Sequence, residues 1–561
     1  MGRETRTLVD ALRTIPRREG RGFTFVEGAT ERRFYSYQEL HDEALRRAAF
    51  FDAAGLRKGD RVALVIPEGN EFVLSFLGAV MGGLVPVPIY PRATFKALDG
   101  YQGIVRHIVE TSRAAALLTV DRLSPHLAPA VASSADDESS SVRVLTCEEF
   151  FAGEAKTFAP PAIDEDDLCF LQFTSGSTSR PKGVEVRHRN LVANAQAFLG
   201  SEGLDRNDDD VGVSWLPLFH DMGLIGFILG TLICDIPVVI LPTSRFARTP
   251  RMWLELISEY RGTITFAPNF GYNLALKRLR DKDIGSLDLS SLRVAGCGAE
   301  PIRGRTLLEF AERLRPAGFR EEAFLPSYGM AEATLAITFH DLGKPLRIDR
   351  LDPEEMRQGR ATPSRASDAL EVVGCGRGFS GHEIQIVDGD GQPLPDRRVG
   401  EVLVRGPSTT AGYFENPEAT AAAFDDGWLR TGDLAYRADG DLFICGRSKD
   451  LIIIHGANHY PQDIEWAVSD LEGVRRDNVV AFSVDTNEGE ALVVVAEAHS
   501  SDAPRLRREI TQRVSERFGL QPRAELCRVG TLPKTSSGKA QRRKSKQLFE
   551  AGELPLHRED A

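Results

Sequence analysis

No C-x-x-C pair occurs in this chain, and its seven cysteines, Cys147, Cys169, Cys234, Cys297, Cys375, Cys445 and Cys527, are scattered and odd in number. That excludes a disulfide framework and a thiolate metal site, and a reducing cytoplasm is the expected compartment. Long apolar runs are missing as well. The most apolar stretch, residues 215–241, is broken by His220, Asp221, Asp235 and Pro237, so it falls short of a membrane span. The opening MGRETRTLVD has no apolar signal core, and Arg6 stands where a myristoylation pattern wants Ser or Thr, so no stable membrane insertion is expected. A basic excess is absent too: the net charge of -12 argues against a protein that coats nucleic acid. No internal repeat is found.

What the chain has is length and local chemistry. Its 561 residues, 42% of them hydrophobic, exceed what one compact core holds, so two or more globular domains are expected. Ser36 and Glu39 form a capping box ahead of a helical apolar stripe, and residues 62–66, 72–80 and 85–89 read as strand, helix, strand. Further strands are expected at 238–241, 263–267 and 292–295, with helices at 250–260 and 304–314, which makes the large region layered α/β. The Ser/Asp/Glu-rich patch at 133–141 reads as an exposed loop. After Gly391 short strands and turns take over, at 400–405 and 439–445. The tail reads as a small α+β unit, with helices at 461–471 and 504–518 and strands at 479–483 and 492–496. From Arg505 to Lys546 thirteen lysines and arginines stand against three acidic residues, a basic end on an acidic protein.

The densest chemistry is TSGSTSRPKG, residues 174–183. Backbone N–H groups around Gly176 can form an anion nest, Thr174, Ser175, Ser177, Thr178 and Ser179 add hydroxyls, and Lys182 adds charge. It is not a Walker A element, because the lysine follows Pro181 and precedes Gly183. Read alone, the stretch is equally a polar surface loop. In LPSYGMAEAT, residues 325–334, Tyr328 can stack on a base, Gly329 lets backbone approach a nucleotide, and Glu332 is a hard oxygen ligand suited to Mg²⁺; its plainer reading is the start of a helix. Asp433 can accept from ribose hydroxyls and Arg447 can donate to ribose or phosphate, or they are a turn aspartate and a solvated arginine. Lys539 follows a Ser-Ser-Gly turn that can project it into a cleft. His220 and Asp221 interrupt an apolar run, where a histidine is either packed in the core or set beside an acyl pocket.

TSGSTSRPKG, YGMAE, TGD, GRSKD and TSSGKAQR occur in an order and separation that resemble the adenylate-forming superfamily of acyl-CoA synthetases, peptide-synthetase adenylation domains and luciferases. The resemblance covers nearly the whole chain. Within it, LQFTSGSTSRPKGVEVRHRNL, SWLPLFHDMGLIG, FAPNFGYNLALKR and DLIIIHGANHYPQDIE look most like the fatty acyl-AMP ligases, although Phe219 stands where that family commonly has Tyr. The connection from Glu332 to Gly376 is longer than is usual in coenzyme A ligases, and residues 341–370 resemble the subfamily's insertion, which hinders the domain rotation that coenzyme A thioesterification needs.

The resemblance implies an α/β fold with a large, multilayered N-terminal domain of mixed sheets and helices, residues 1–447, and a small mobile α+β C-terminal domain, residues 448–561, hinged at Lys449. It implies ATP and Mg²⁺ as cofactors, and a fatty acid activated to acyl-adenylate and passed to the phosphopantetheine thiol of an acyl carrier protein. Lys539, Glu332 and His220 would be catalytic, and Glu332 and Thr178 would hold the metal. The loop of Thr174, Ser175, Gly176, Ser177, Thr178 and Lys182 would hold the β- and γ-phosphates. Gly298, Ala299, Glu300, Tyr328, Gly329 and Met330 would border the adenine, and Asp433 and Arg447 the ribose. For the acyl chain, residues 224–232 and the surroundings of Phe270 and Tyr272 are expected to line a tunnel or else to be ordinary core. The basic tail would dock an acidic carrier protein or is a solvated face. A fatty acyl-CoA synthetase and a non-catalytic acyl-nucleotide binding module remain the alternatives; the first is separated by its acceptor, and Lys539, Glu332 and Asp433 speak against the second.

Overall fold

The computed structural model describes residues 5–92, 98–131, 142–151, 158–174, 181–454, 456–486, 489–498, 503–535 and 538–557. The patch at 133–141 and residues Ser175, Gly176, Ser177 and Thr178 lie outside them.

Alternating strands and helices build two largely parallel sheets in the first two thirds of the chain. The larger has nine strands in the order Arg377–Gly378, Ala336–Phe339, Phe324–Gly329, Val294–Cys297, Ile264–Ala267, Gly212–Ser214, Val238–Ile240, Gly22–Val26 and Arg32–Ser36. The six strands from Phe324–Gly329 to Gly22–Val26 pair in parallel, and only the flanking ones are antiparallel. A four-stranded parallel sheet runs Val85–Pro88, Arg61–Leu64, Ala114–Thr119, Arg143–Thr146. Buried parallel strands explain the continuous apolar runs in these segments. The capping box forms as expected: the Ser36 hydroxyl accepts from the Glu39 N–H and starts the helix Tyr37–Ala53, a cap worth about 1 kcal/mol.

The apolar run after Asp221 is helical, wound as a π-helix over Met222–Leu229 and continued by an α-turn, Gly230–Ile233. The strand that follows, Val238–Ile240, lies where it was expected.

After residue 380 a five-stranded antiparallel sheet takes over, and its hairpin Trp428–Ala438 with Asp441–Arg447 sets Asp433 opposite Arg447. The stretch 341–370 is a packed element. Its strand Ile348–Leu351 pairs with Leu370–Val373, and its helix Pro353–Arg357 is capped by Asp352. Leu351, Met356 and Ala361 are buried with Tyr436, Phe443 and Tyr460 in a small core of their own.

The last hundred residues have a separate core, from Ile452 to Leu526. It packs the helices Pro461–Ser469 and Ala503–Phe518 on a three-stranded sheet, Val474–Thr486, Gly489–Ala498 and Arg523–Cys527, while the helix Arg542–Glu550 packs through Leu548 and Phe549 in a second cluster with Val480 and Phe482. Leu506, Ile510, Val514 and Phe518 form the expected buried stripe, closed by Gly519 at φ +69°. Much of the basic end is engaged within this unit: Arg505 pairs with Glu509, Arg507 with Glu525, and Arg542 and Arg543 with Asp450. The two units meet through hydrogen bonds from Asn273 to Asp477 and from Arg303 to Asp470.

Candidate functional site

Parallel strands end on one side of the large sheet, and ligand clefts form outside such carboxyl ends. Here the strands Val294–Cys297 and Phe324–Gly329 deliver Gly298, Ala299, Glu300, Tyr328, Gly329 and Met330 to one rim. LPSYGMAEAT is therefore strand followed by a single 3-10 turn, Ala331–Ala333, not the start of a helix. Gly329 is required by packing, since a Cβ there would lie 1.9 Å from the Leu335 carbonyl oxygen. Ala299 takes φ +69°, the left-handed region that a side chain disfavours, which turns its carbonyl out of the strand direction.

The Tyr328 hydroxyl donates to Asp433 Oδ2 at 2.7 Å, and Arg447 Nε donates to Oδ1 at 2.9 Å. Burial pushes the Asp433 carboxyl up and Arg447 pulls it back. Asp433 is buried while the Arg447 side chain is half exposed, so the aspartate is a fixed polar wall rather than a solvated turn residue.

Lys539 arrives from the C-terminal unit. Its loop is closed by the Thr535 N–H to the Lys539 carbonyl at 2.8 Å and by the Lys539 N–H to Thr535 Oγ1 at 3.1 Å. Its ammonium donates to the Ala299 carbonyl. Burial lowers the Lys539 pKa, while the Glu300 and Asp221 carboxylates raise it. Glu300 is pushed up to about 6 by burial, with Lys539 and the Phe270 N–H opposing. His220 is pushed down to about 3 by burial and by the Lys539 charge, so it is a neutral imidazole.

Glu332 is buried, its pKa raised by that burial. The Tyr413 hydroxyl donates to its Oε1 at 2.8 Å, while Thr410 donates its N–H and its hydroxyl to the Glu332 carbonyl oxygen. The same Tyr413 ring carries Lys182 Nζ at 4.8 Å from its centroid, a cation–π contact. Thr174 and Lys182 are register partners at the end of the hairpin Leu168–Thr174 with Lys182–Arg187, so the ends of the hydroxyl-rich loop are held beside Glu332. Tyr413 was not singled out in the sequence. Its only signal is a stretch of small and hydroxyl residues, PSTTAGY, whose backbone comes close to the loop: the Phe414 N–H donates to the Gly183 carbonyl.

A single buried carboxylate fits Mg²⁺, which takes one or two protein carboxylates and completes its octahedron with phosphate oxygens and water. Among the described residues no three His, Cys, Asp or Glu side chains cluster as a metal site.

Beside this polar cleft lies an apolar cavity, and the two share Asp221, Ala299, Ser327, Tyr328 and Gly329. From the expected tunnel segment Gly226, Phe227 and Thr231 line it, but Phe270 and Tyr272 do not. Phe270 faces the cleft, and Tyr272 is core, its hydroxyl on the Gly296 carbonyl at 2.8 Å. No helix among the described residues is long and apolar enough to cross a membrane.

The model of the AMP-binding enzyme family matches residues 15–414. A protein of Caulobacter vibrioides that carries the name of an acyl-CoA synthetase is 38% identical over 92% of this chain and 90% of its own. JamA of Moorena producens, a medium-chain-fatty-acid–[acyl-carrier-protein] ligase, is 33% identical over 98% of this chain and 96% of its own. Among solved structures, one from work on fatty acyl-adenylate ligases of E. coli and L. pneumophila superposes with a TM-score of 0.91 at 34% identity, covering 98% of both chains.

Proposed function

This chain belongs to the AMP-binding enzyme family, and from that premise we propose that it is a fatty acyl-AMP ligase. It activates a fatty acid with ATP to an acyl-adenylate, releases pyrophosphate, and transfers the acyl group to the phosphopantetheine thiol of an acyl carrier protein, with AMP leaving as the thioester forms. The observation that carries the reading is the position of the Lys539 ammonium, on the Ala299 carbonyl where the polar cleft opens into the apolar cavity. A carboxylate whose alkyl chain fills the cavity meets an α-phosphate whose nucleoside fills the cleft at that point.

Attack of one carboxylate oxygen on the α-phosphorus forms a C(O)–O–P bond and breaks the bond to the bridging oxygen, which leaves with pyrophosphate. The barrier is the approach of an anion to a polyanion, so positioning and charge neutralisation are the work of the site. Lys539 neutralises the carboxylate and α-phosphate. Asp433 and Arg447 hold the ribose, and residues 298–300 with Tyr328, Gly329 and Met330 border the adenine. The loop from Thr174 through Ser175, Gly176, Ser177 and Thr178 to Lys182 binds the β- and γ-phosphates. Glu332, with Thr178, would hold Mg²⁺, which when bound offsets charge on the phosphate oxygens. His220 acts as a neutral wall of the polar cleft, next to Asp221.

We place the domain boundary at Arg447/Ser448, supported by the separate core beyond Ile452. The 341–370 insertion, packed against Tyr436, Phe443 and Tyr460, supports a restrained domain rotation and so a carrier-protein thiol rather than coenzyme A as acceptor. The test is pyrophosphate release with fatty acids, followed by a choice between holo-acyl carrier protein and coenzyme A, read by mass spectrometry. Acyl carrier protein is the expected product. Robust acyl-CoA formation would replace the acceptor, in line with the name of the Caulobacter relative, and absence of pyrophosphate release with every acid would sink the activation step.

A further inference from the structure

We propose that Gly226 is the gauge of acyl length in this chain: it leaves the middle of the apolar cavity open to a straight alkyl chain, which ends against a blind wall of Phe198, Leu204 and Ile236. The inference rests on the acyl-activation reading and names its substrate class, an unbranched acid of about ten carbons.

The cavity runs along the parallel strands. Its mouth residues Ala299, Ser327 and Gly329 lie at the carboxyl ends, and Gly212 and Ile264, which are register partners, lie at the opposite ends of their strands. At that far end Phe198, Leu204 and Ile236 are 3%, 2% and 1% exposed, so the cavity has no outlet there.

One side wall is the π-helix. Met222, Gly226, Phe227 and Thr231 line the cavity, and the Gly230 N–H closes on the Ile225 carbonyl, five residues back. In an α-helix, at about 100° per residue, Phe227 and Thr231 would stand about 140–180° round from Met222. The wider π turn brings all of them to one face. The wider π turn shortens the rise, so the nine steps from Met222 to Thr231 span about 11–12 Å, and an extended alkyl chain advances about 1.25 Å per bond, so about nine bonds, or ten carbons, fit that length.

Three glycines sit in this wall, and they differ. A Cβ on Gly223 would lie 2.2 Å from the Pro217 carbonyl oxygen, and one on Gly230 2.6 Å from the Phe198 ring. Both are required by packing. A Cβ on Gly226 would meet only Leu335 Cδ2, at 3.4 Å, an ordinary contact. The protein's own packing therefore accepts a side chain at 226, and what its absence preserves is space in the cavity.

The experiment measures kcat/KM for pyrophosphate release with the saturated acids from butanoate to hexadecanoate, for wild type, Gly226→Ala and Gly226→Leu. Wild type should peak near decanoate. Each methylene withdrawn from the cavity costs about fourfold, so Gly226→Leu should lose at least about tenfold on decanoate, keep butanoate and hexanoate within about threefold, and move the optimum to shorter acids, with Gly226→Ala between. Thermal melts should show no lower Tm for Gly226→Ala, because alanine suits a helix better than glycine. An equal loss at all lengths in both variants, a flat wild-type profile, or an unchanged decanoate optimum in Gly226→Leu would overturn the inference and leave acyl activation standing. A wild type that releases pyrophosphate with no acid would sink both.

Discussion

The polar cleft and the apolar cavity meet at Asp221 and Ala299, yet they are built by opposite rules. The cleft is assembled from two folding units and from segments hundreds of residues apart, with charged groups held by named partners: Tyr328 and Arg447 on Asp433, Tyr413 on Glu332, the Ala299 carbonyl on Lys539. The cavity belongs to the large unit alone and consists of space among side chains. Loss of one group in the cleft leaves a charge without its counterpart, whereas loss of one group in the cavity changes only volume. Function should therefore fall steeply and without regard to chain length in the first, and shallowly and with regard to chain length in the second.

Lys539→Ala should give the largest effect. It removes the cation that the C-terminal unit places on the Ala299 carbonyl at the junction, and adenylate formation should fall by about a thousandfold or more, equally for short and long acids. ATP binding, read by calorimetry, should persist; near-normal pyrophosphate release by this variant would break the contrast. Glu332→Gln keeps the shape and deletes the charge, so turnover should drop by about a hundredfold, with Mn²⁺ binding in the ATP complex, followed by electron paramagnetic resonance, weakened alongside.

Tyr413→Phe is milder. It removes one hydrogen bond to a carboxylate, worth about 1.5–3 kcal/mol, and keeps the ring beneath Lys182. The Mg²⁺ concentration for half-maximal rate should rise about tenfold, with little change in the KM for the fatty acid; a fall in kcat at saturating Mg²⁺ with no change in metal requirement would count against Tyr413 as a positioning residue. The smallest effect belongs to His220. Its pKa is lowered, to about 3, so unlike a free histidine it has lost its proton throughout the working range. From about pH 5.5 to about pH 9 the rate profile of His220→Gln should have the wild-type shape. A wild-type inflection near the ordinary histidine value that vanishes in the variant would return His220 to the charge machinery.

The same contrast explains what could be read from the sequence. Lys539, Glu332, Asp433 and Arg447 could be singled out because charged groups among glycines and hydroxyls stand out from their neighbours, but each alone also read as an ordinary surface or turn residue, and only the family resemblance joined them into one site. Tyr413 could not be singled out, since one tyrosine after a glycine has no spacing to mark it. The cavity was nearly illegible: Phe227 and Thr231 look like core in an apolar run, and Tyr272, which does belong to the core, looked equally suited to a tunnel. Apolar residues around a ligand and apolar residues around one another obey the same burial rule. The alternation of strand and helix announced the layered α/β fold through its periodicity, but not the π register, because local pattern reports which residues are apolar and not how many make a turn.

A helix wound with extra residues per turn is sensitive to counting more than to composition. Deleting one residue between Met222 and Gly230 would let the segment relax to the tighter α winding, and every side chain beyond the deletion would be re-clocked around the axis. A change in length, leaving all the remaining side chains as they were, would thus redraw the wall, and divergence among such chains by insertion and deletion in this helix would alter the shape of the chamber faster than point substitution does.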